Sequence, residues 1–173
     1  APLPAERWVV QPLDHFDRLE TRTWNQRYFA NDAHWKTRRA SDDAGGDETP
    51  SDGTSSDASL VFLCVGGEGP AFDPTVVTTG GPHCALAVEM AASRGALILA
   101  LEHRFYGPSQ PTGDLTVASL RHLSSAQALA DAARFVAHAA REFRVPRDAR
   151  RVAFGRSEEH TSELQSRIGI PYA

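Results

Sequence analysis

Two short apolar runs constrain this chain more than any other feature: Leu60-Val61-Phe62-Leu63-Cys64-Val65 and Ala96-Leu97-Ile98-Leu99-Ala100-Leu101. Neither alternates apolar with polar residues, so each needs cover on both faces, as strands of a parallel sheet between helices do. Between them, the stretch from His83 to Arg94 places Leu86 with Met90 and Ala87 with Ala91 at i, i+4, then meets Gly95, a residue suited to a helix C-cap. From Leu120 onward, Leu120, Leu123, Ala126, Leu129, Ala133, Val136, Ala140 and Phe143 step by threes and fours. That spacing predicts one long helix, ended by Val145-Pro146, with Asp131, Arg134, His138 and Arg141 mostly on its other side. Arg151-Val152-Ala153-Phe154-Gly155 reads as a third short strand. The order β-α-β-α-β predicts an α/β fold with a mostly parallel sheet, because a parallel crossover needs a connection as long as a helix.

Composition removes several functions. A chain of 173 residues with 41% hydrophobic residues and a net charge of -4 describes one globular unit. Eighteen Lys+Arg against twenty-two Asp+Glu leave no basic excess to neutralise phosphates, so nucleic acid is not an expected partner. The longest apolar run, around Gly95 to Leu101, falls short of the ~20 residues of a membrane span. The opening Ala1-Pro2-Leu3-Pro4-Ala5-Glu6-Arg7 lacks a basic stretch followed by an apolar one, so a secretory signal is expected to be absent or already removed. Cys64 and Cys84 can form one bridge, too few cysteines to assign a redox compartment. Residues 39–59 are nearly all Ser, Asp, Gly, Thr and Ala and are expected to form a disordered polar insertion after the aromatic N-terminal piece.

In open α/β sheets, ligands sit beyond the carboxyl ends of the strands, which singles out three turns. These are Gly66-Gly67-Glu68-Gly69-Pro70, Glu102-His103-Arg104-Phe105-Tyr106-Gly107, and Gly155-Arg156-Ser157. The first lacks the spacing of a nucleotide-binding loop and better suits an oxyanion hole, where glycine lets a backbone N–H approach the substrate closely. A tight turn without catalytic value fits the same residues. Glu102 and His103 point to opposite faces of a strand, so a Glu/Arg ion pair holding the loop is expected there rather than a catalytic pair. His15, His34, His83, His122 and His138 have no spacing that implies a metal site, and neither metal nor cofactor is expected.

Five segments occur in an order that resembles the prolyl-carboxypeptidase family of serine peptidases. They are Gln11-Pro12-Leu13-Asp14-His15-Phe16, Thr23-Trp24-Asn25-Gln26-Arg27-Tyr28-Phe29, Gly66-Gly67-Glu68-Gly69-Pro70, Leu101-Glu102-His103-Arg104-Phe105-Tyr106-Gly107, and Leu120-Arg121-His122-Leu123-Ser124-Ser125 with Ala128-Leu129-Ala130-Asp131. The resemblance implies an α/β-hydrolase core with a helical cap, secreted or lysosomal, that trims residues next to proline from peptide ends with a Ser-Asp-His triad. Ser157 is in register with the nucleophile of the family's Gly-Gly-Ser-Tyr-x-Gly elbow, although Arg156 stands where the elbow has a glycine. Gly66, Gly67, Glu68 and Gly69 correspond to the oxyanion and substrate loop, and Arg104 is a further candidate at the same mouth.

Residues from Arg156 to Ser166 read as the translation of a widely used sequencing-library adapter, so residues 156–173 are expected to be an artefactual tail on a partial domain spanning 1–155. The triad's aspartate and histidine are then expected beyond residue 173, which predicts a truncated and inactive chain. An esterase or lipase on the same fold, or a fragment that binds peptides without cutting them, are the alternatives. Oligomeric state leaves no trace in the sequence.

Overall fold

A computed structural model of the chain describes residues 3–35, 59–67 and 69–155, with residues 81–83 described by backbone alone. The expected polar insertion, apart from Ser59, together with Glu68 and the tail from Arg156 that includes Ser157, lies outside the described residues.

The three strands read from the sequence are present. They are β3 (Leu60–Val65), β4 (Leu97–Leu101) and β5 (Arg150–Gly155), with β4 and β5 each parallel to β3. Two further strands, β1 (Arg7–Pro12) and β2 (Thr23–Asn31), were not expected. They pair antiparallel with each other, and β2 pairs antiparallel with β4, giving the order β1-β2-β4-β3-β5. The sheet is therefore mixed, with two of its four strand pairings antiparallel, and the parallel part is the half foreseen. The N-terminal strands are hard to read because three of their buried positions, Gln11, Gln26 and Arg27, are polar and interrupt the apolar alternation.

The apolar runs are covered on both faces, as their composition requires. On one face Phe62, Cys64, Ile98 and Ala100 pack against Ala87 and Ala91 of helix α1 (Gly81–Arg94). On the other, Val61, Leu63, Leu97 and Leu99 pack against Phe135 and Ala139 of helix α3 (Ser125–Glu142). Cys64 of β3 is disulfide-bonded to Cys84 of α1, Cα to Cα 6.1 Å, which ties the sheet to the helix covering it. Gly95 caps α1 in the left-handed conformation, φ 61°, where a Cβ is disfavoured.

The long helix expected from Leu120 is two helices. A one-turn helix α2 (Val117–Leu120) is followed by a turn, and Ser124 then caps α3 by accepting the Gln127 N–H. The predicted apolar face is also rotated. Leu129 is 60% exposed, whereas the stripe facing the sheet is Gln127, Asp131, Phe135 and Ala139. Asp131, expected on the outer side, is fully buried because the first turns of α3 meet a polar cluster rather than the apolar core. Leu86 of α1 is likewise exposed, and Ala87 and Ala91 form the inward face.

Candidate active site

The parallel strands end level with one another. Val65 is in register with Leu101 on one side and with Gly155 on the other, so β3, β4 and β5 end side by side at one edge of the sheet. The carboxyl ends of parallel strands are where α/β sheets bind ligands.

The loop after β3 is shaped by contact with its neighbour. Gly66 donates its N–H to Leu101 C=O at 2.8 Å, adding one rung to the β3–β4 ladder. A Cβ at Gly66 would lie 2.8 Å from His103 N and 2.9 Å from Leu101 O, both backbone atoms, so any side chain would force the strands apart. The Gly66 amide is thus already engaged. Gly67 is the first residue of this loop whose N–H has no hydrogen bond among the described residues. Gly69 follows with φ 141° and open space around it.

The loop after β4 is held from its first residue. The buried Glu102 carboxylate accepts from Arg27 Nη2 at 2.7 Å, from Phe72 N–H at 3.0 Å and from Ser109 Oγ at 2.6 Å. Burial alone would lower the Arg27 pKa, but the carboxylates of Glu102 and Glu6 raise it above the ordinary guanidinium value. Gly107, at φ 53°, leaves room for the carboxylate, since a Cβ there would sit 2.2 Å from Glu102 Oε1. Phe105 takes the left-handed conformation at φ 68° and is fixed by its N–H to Ser109 C=O at 2.8 Å. For a bulky residue that geometry is costly and persists only where the surroundings enforce it. His103 donates its Nδ1–H to Arg104 C=O at 2.7 Å and lies edge-on to Tyr106, half-buried at the strand end.

The expected Glu/Arg ion pair exists, but its arginine is Arg27 of β2 rather than the neighbouring Arg104. Arg104 is not at the mouth. It is fully buried, donates to both Asp131 oxygens at 2.6 and 2.8 Å and to the carbonyls of Leu13 and His122, and lies over the Trp24 ring. His15, expected to be an ordinary histidine, donates through Nε2 to the same Asp131 at 2.7 Å. Gln11 Nε2 bridges Asp131 C=O and Gln26 Oε1, and Gln26 Nε2 reaches Glu102 C=O. A continuous polar chain thus runs from α3 under the sheet to the end of β4. His122 is buried beside it, and burial, then the Arg121 charge, holds its pKa below the ordinary imidazole value. No group of three or more potential metal ligands occurs among the described residues.

Arg27, Ser109, His15 and Asp131 were not read as site-supporting residues. For Asp131 the available signal was a carboxylate set among alanines in a predicted helix, a group that is buried only when paired.

These features define a mixed α/β protein with a glycine-rich turn and a rigid second turn at one strand edge. A family model for serine carboxypeptidases S28 matches residues 11–41 and 52–161. The chain belongs to that family, whose members are serine-type peptidases. It is 41% identical over 131 residues to the thymus-specific serine protease of Mus musculus, covering 76% of this chain and 21% of the relative. The human thymus-specific serine protease is 35% identical over 172 residues, covering 99% of this chain and 29% of the relative. The human lysosomal Pro-X carboxypeptidase is 30% identical over 134 residues, 76% of this chain and 22% of the relative. The chain thus spans between about a fifth and three tenths of the length of these relatives.

Proposed function

We propose that this chain is the N-terminal part of a serine exopeptidase on an α/β-hydrolase fold, removing residues next to proline from peptide ends in a secreted or lysosomal setting. The observation that carries this reading is the shared register of Val65, Leu101 and Gly155, combined with a family match that covers the strands β2 to β5. In hydrolases of this kind the nucleophile sits on a sharp turn after one strand, and an oxyanion N–H comes from the loop after the third. Leu60–Val65 is the third strand in chain order.

The Gly67 N–H serves as the oxyanion donor, with Gly66 and Gly69 shaping the loop. The nucleophile stands two residues beyond Gly155, a position held here by Ser157. The carboxylate of Glu68 beside this loop pairs with the free amine of a substrate trimmed from its N-terminus; trimming from the C-terminus needs a cation for the terminal carboxylate instead. No cofactor enters, and on this reading the triad's aspartate and histidine come from other parts of the full-length protein. On the same reading the residues from Arg156 are foreign to the native protein, and resequencing across the Gly155 codon is expected to give Gly-Ser-Tyr there.

The test compares peptides with proline second from the free C-terminus against peptides with proline second from the free N-terminus, using the full-length protein that carries this segment. One set is expected to be cleaved, and blocking that terminus is expected to abolish cleavage. Preference for simple carboxyl esters over both sets contradicts the reading.

A further inference from the structure

The loop from Gly66 to Phe72 is pinned at both ends. At its start the Gly66 N–H closes onto Leu101 C=O. At its finish a single ion pair grips both sides of the Phe72 backbone: the N–H donates to Glu102 Oε1 at 3.0 Å, and the C=O accepts from Arg27 Nη2 at 2.6 Å. The gripping groups are themselves joined at 2.7 Å, and their side chains are 9% and 3% exposed. Ser109 closes the arrangement, donating its Oγ–H to Glu102 Oε2 at 2.6 Å while accepting the Arg27 backbone N–H at 2.9 Å.

A buried ion pair adds little net stability over a well-packed apolar pair of the same volume, because desolvation offsets the attraction. What it provides here is geometry. Two charged groups converge on the backbone of one residue, holding the peptide groups on either side of Phe72, five residues after the amide expected to face the oxyanion. Both contacts come from Arg27 Nη2, whose two N–H bonds are fixed in the guanidinium plane, whereas the N–H bonds of a lysine ammonium rotate freely on a flexible stem.

We infer that Arg27 and Glu102 are positioning residues for catalysis, which set the reach of the Gly67 amide by clamping the backbone on both sides of Phe72. This rests on the oxyanion-loop reading above. A misplacement of about 1 Å in such a donor costs on the order of 100-fold in rate. The two residues act through the loop and do not touch substrate.

The experiment uses the full-length protein carrying this segment, with Arg27→Lys and Glu102→Gln. Arg27→Lys keeps the charge and loses the planar Nη2 group; Glu102→Gln keeps the shape and loses the charge. In each, kcat on a proline-containing peptide is expected to fall about 10- to 100-fold with KM within about twofold. Affinity for a peptide boronic acid, whose tetrahedral adduct occupies the oxyanion site, is expected to fall by the same factor, and amides of residues 66–72 to exchange hydrogen faster than the rest of the sheet. Should Glu102→Gln fail to fold, Arg27→Lys carries the test alone. Variants that keep wild-type kcat, boronate affinity and loop exchange overturn the inference. A wild-type protein that cleaves no peptide sinks the site reading instead, and loop exchange that is unchanged in the variants then overturns the clamp as well.

Discussion

Arg104, at the exit of β4, and Asp131, one turn and a half into α3, meet through two parallel hydrogen bonds of 2.6 and 2.8 Å, and both are fully buried. His15 and the carbonyls of Leu13 and His122 complete the shell around the pair. Removing one member leaves a buried charge without its counterion. Asp131→Ala is expected to lower unfolding free energy by about 3–5 kcal/mol, read from urea midpoints. Arg104→Met combined with Asp131→Leu is expected to recover part of that loss. A near-neutral Asp131→Ala would show that the pair is not buried as described.

His122 makes stability depend on pH in a defined direction. Its folded-state pKa is depressed by burial and by Arg121, against the opposing pull of Asp14, whose carboxylate lies 3.6 Å away. The folded protein therefore favours neutral imidazole. Its contribution is complete above the unfolded histidine value near 6.5 and declines as pH falls below it, where the unfolded chain takes up the proton first. Thermal midpoints measured from pH 7.5 to 5 are expected to fall more steeply for the wild type than for His122→Gln. A steeper fall in the variant contradicts the assignment.

Asp14 adds a second, more acidic region. Its carboxyl is held below the ordinary aspartate value, first by the Phe16 N–H and, against some burial, by Gln127, Asp17 N–H and His122. That stabilisation is present above the unfolded pKa and is lost as pH drops through and below it. Asp14→Asn is expected to flatten the midpoint between about pH 4 and 2.5 relative to wild type.

The Cys64–Cys84 bridge closes a separation of 20 residues between β3 and α1. Loop-closure arguments give about 3 kcal/mol for a loop of this order. Non-reducing peptide mapping is expected to recover the linked pair, and Cys64→Ala with Cys84→Ala to reduce unfolding free energy by roughly that amount.

Gly66→Ala places a methyl group against His103 N and Leu101 O and is expected to destabilise by about 1–3 kcal/mol. Gly113→Ala, where no atom lies within 4 Å, is the matched control and is expected to stay within about 0.5 kcal/mol of wild type.

How much of this was legible depended on whether burial was apolar. Leu60–Val65 and the strand ending at Leu101 announced themselves because both faces of each are hydrocarbon-covered, and Gly95 because a helix end needed its conformation. Gln11, Gln26, Arg27 and Asp131 did not, because polar residues are buried here only through partners far away in sequence. The same effect hid β1 and β2 and rotated the predicted face of α3. The Ser124 cap went unread, and the apolar spacing runs the helix from Leu120 through it, although a serine three residues before a glutamine opens many helices. The glycine loop was located correctly, while the ion pair that holds it was legible only in part, because Arg27 lies 75 residues from Glu102.

The central claim is that the strand end at Gly155 presents a serine nucleophile to the loop that begins at Gly66. Fluorophosphonate labelling of the full-length protein carrying this segment, followed by mapping of the modified peptide, tests it most directly. The account predicts one labelled serine, two residues beyond Gly155, and loss of peptide cleavage in proportion to labelling. Modification of a serine elsewhere with cleavage lost, or cleavage that persists once that serine is fully labelled, contradicts it.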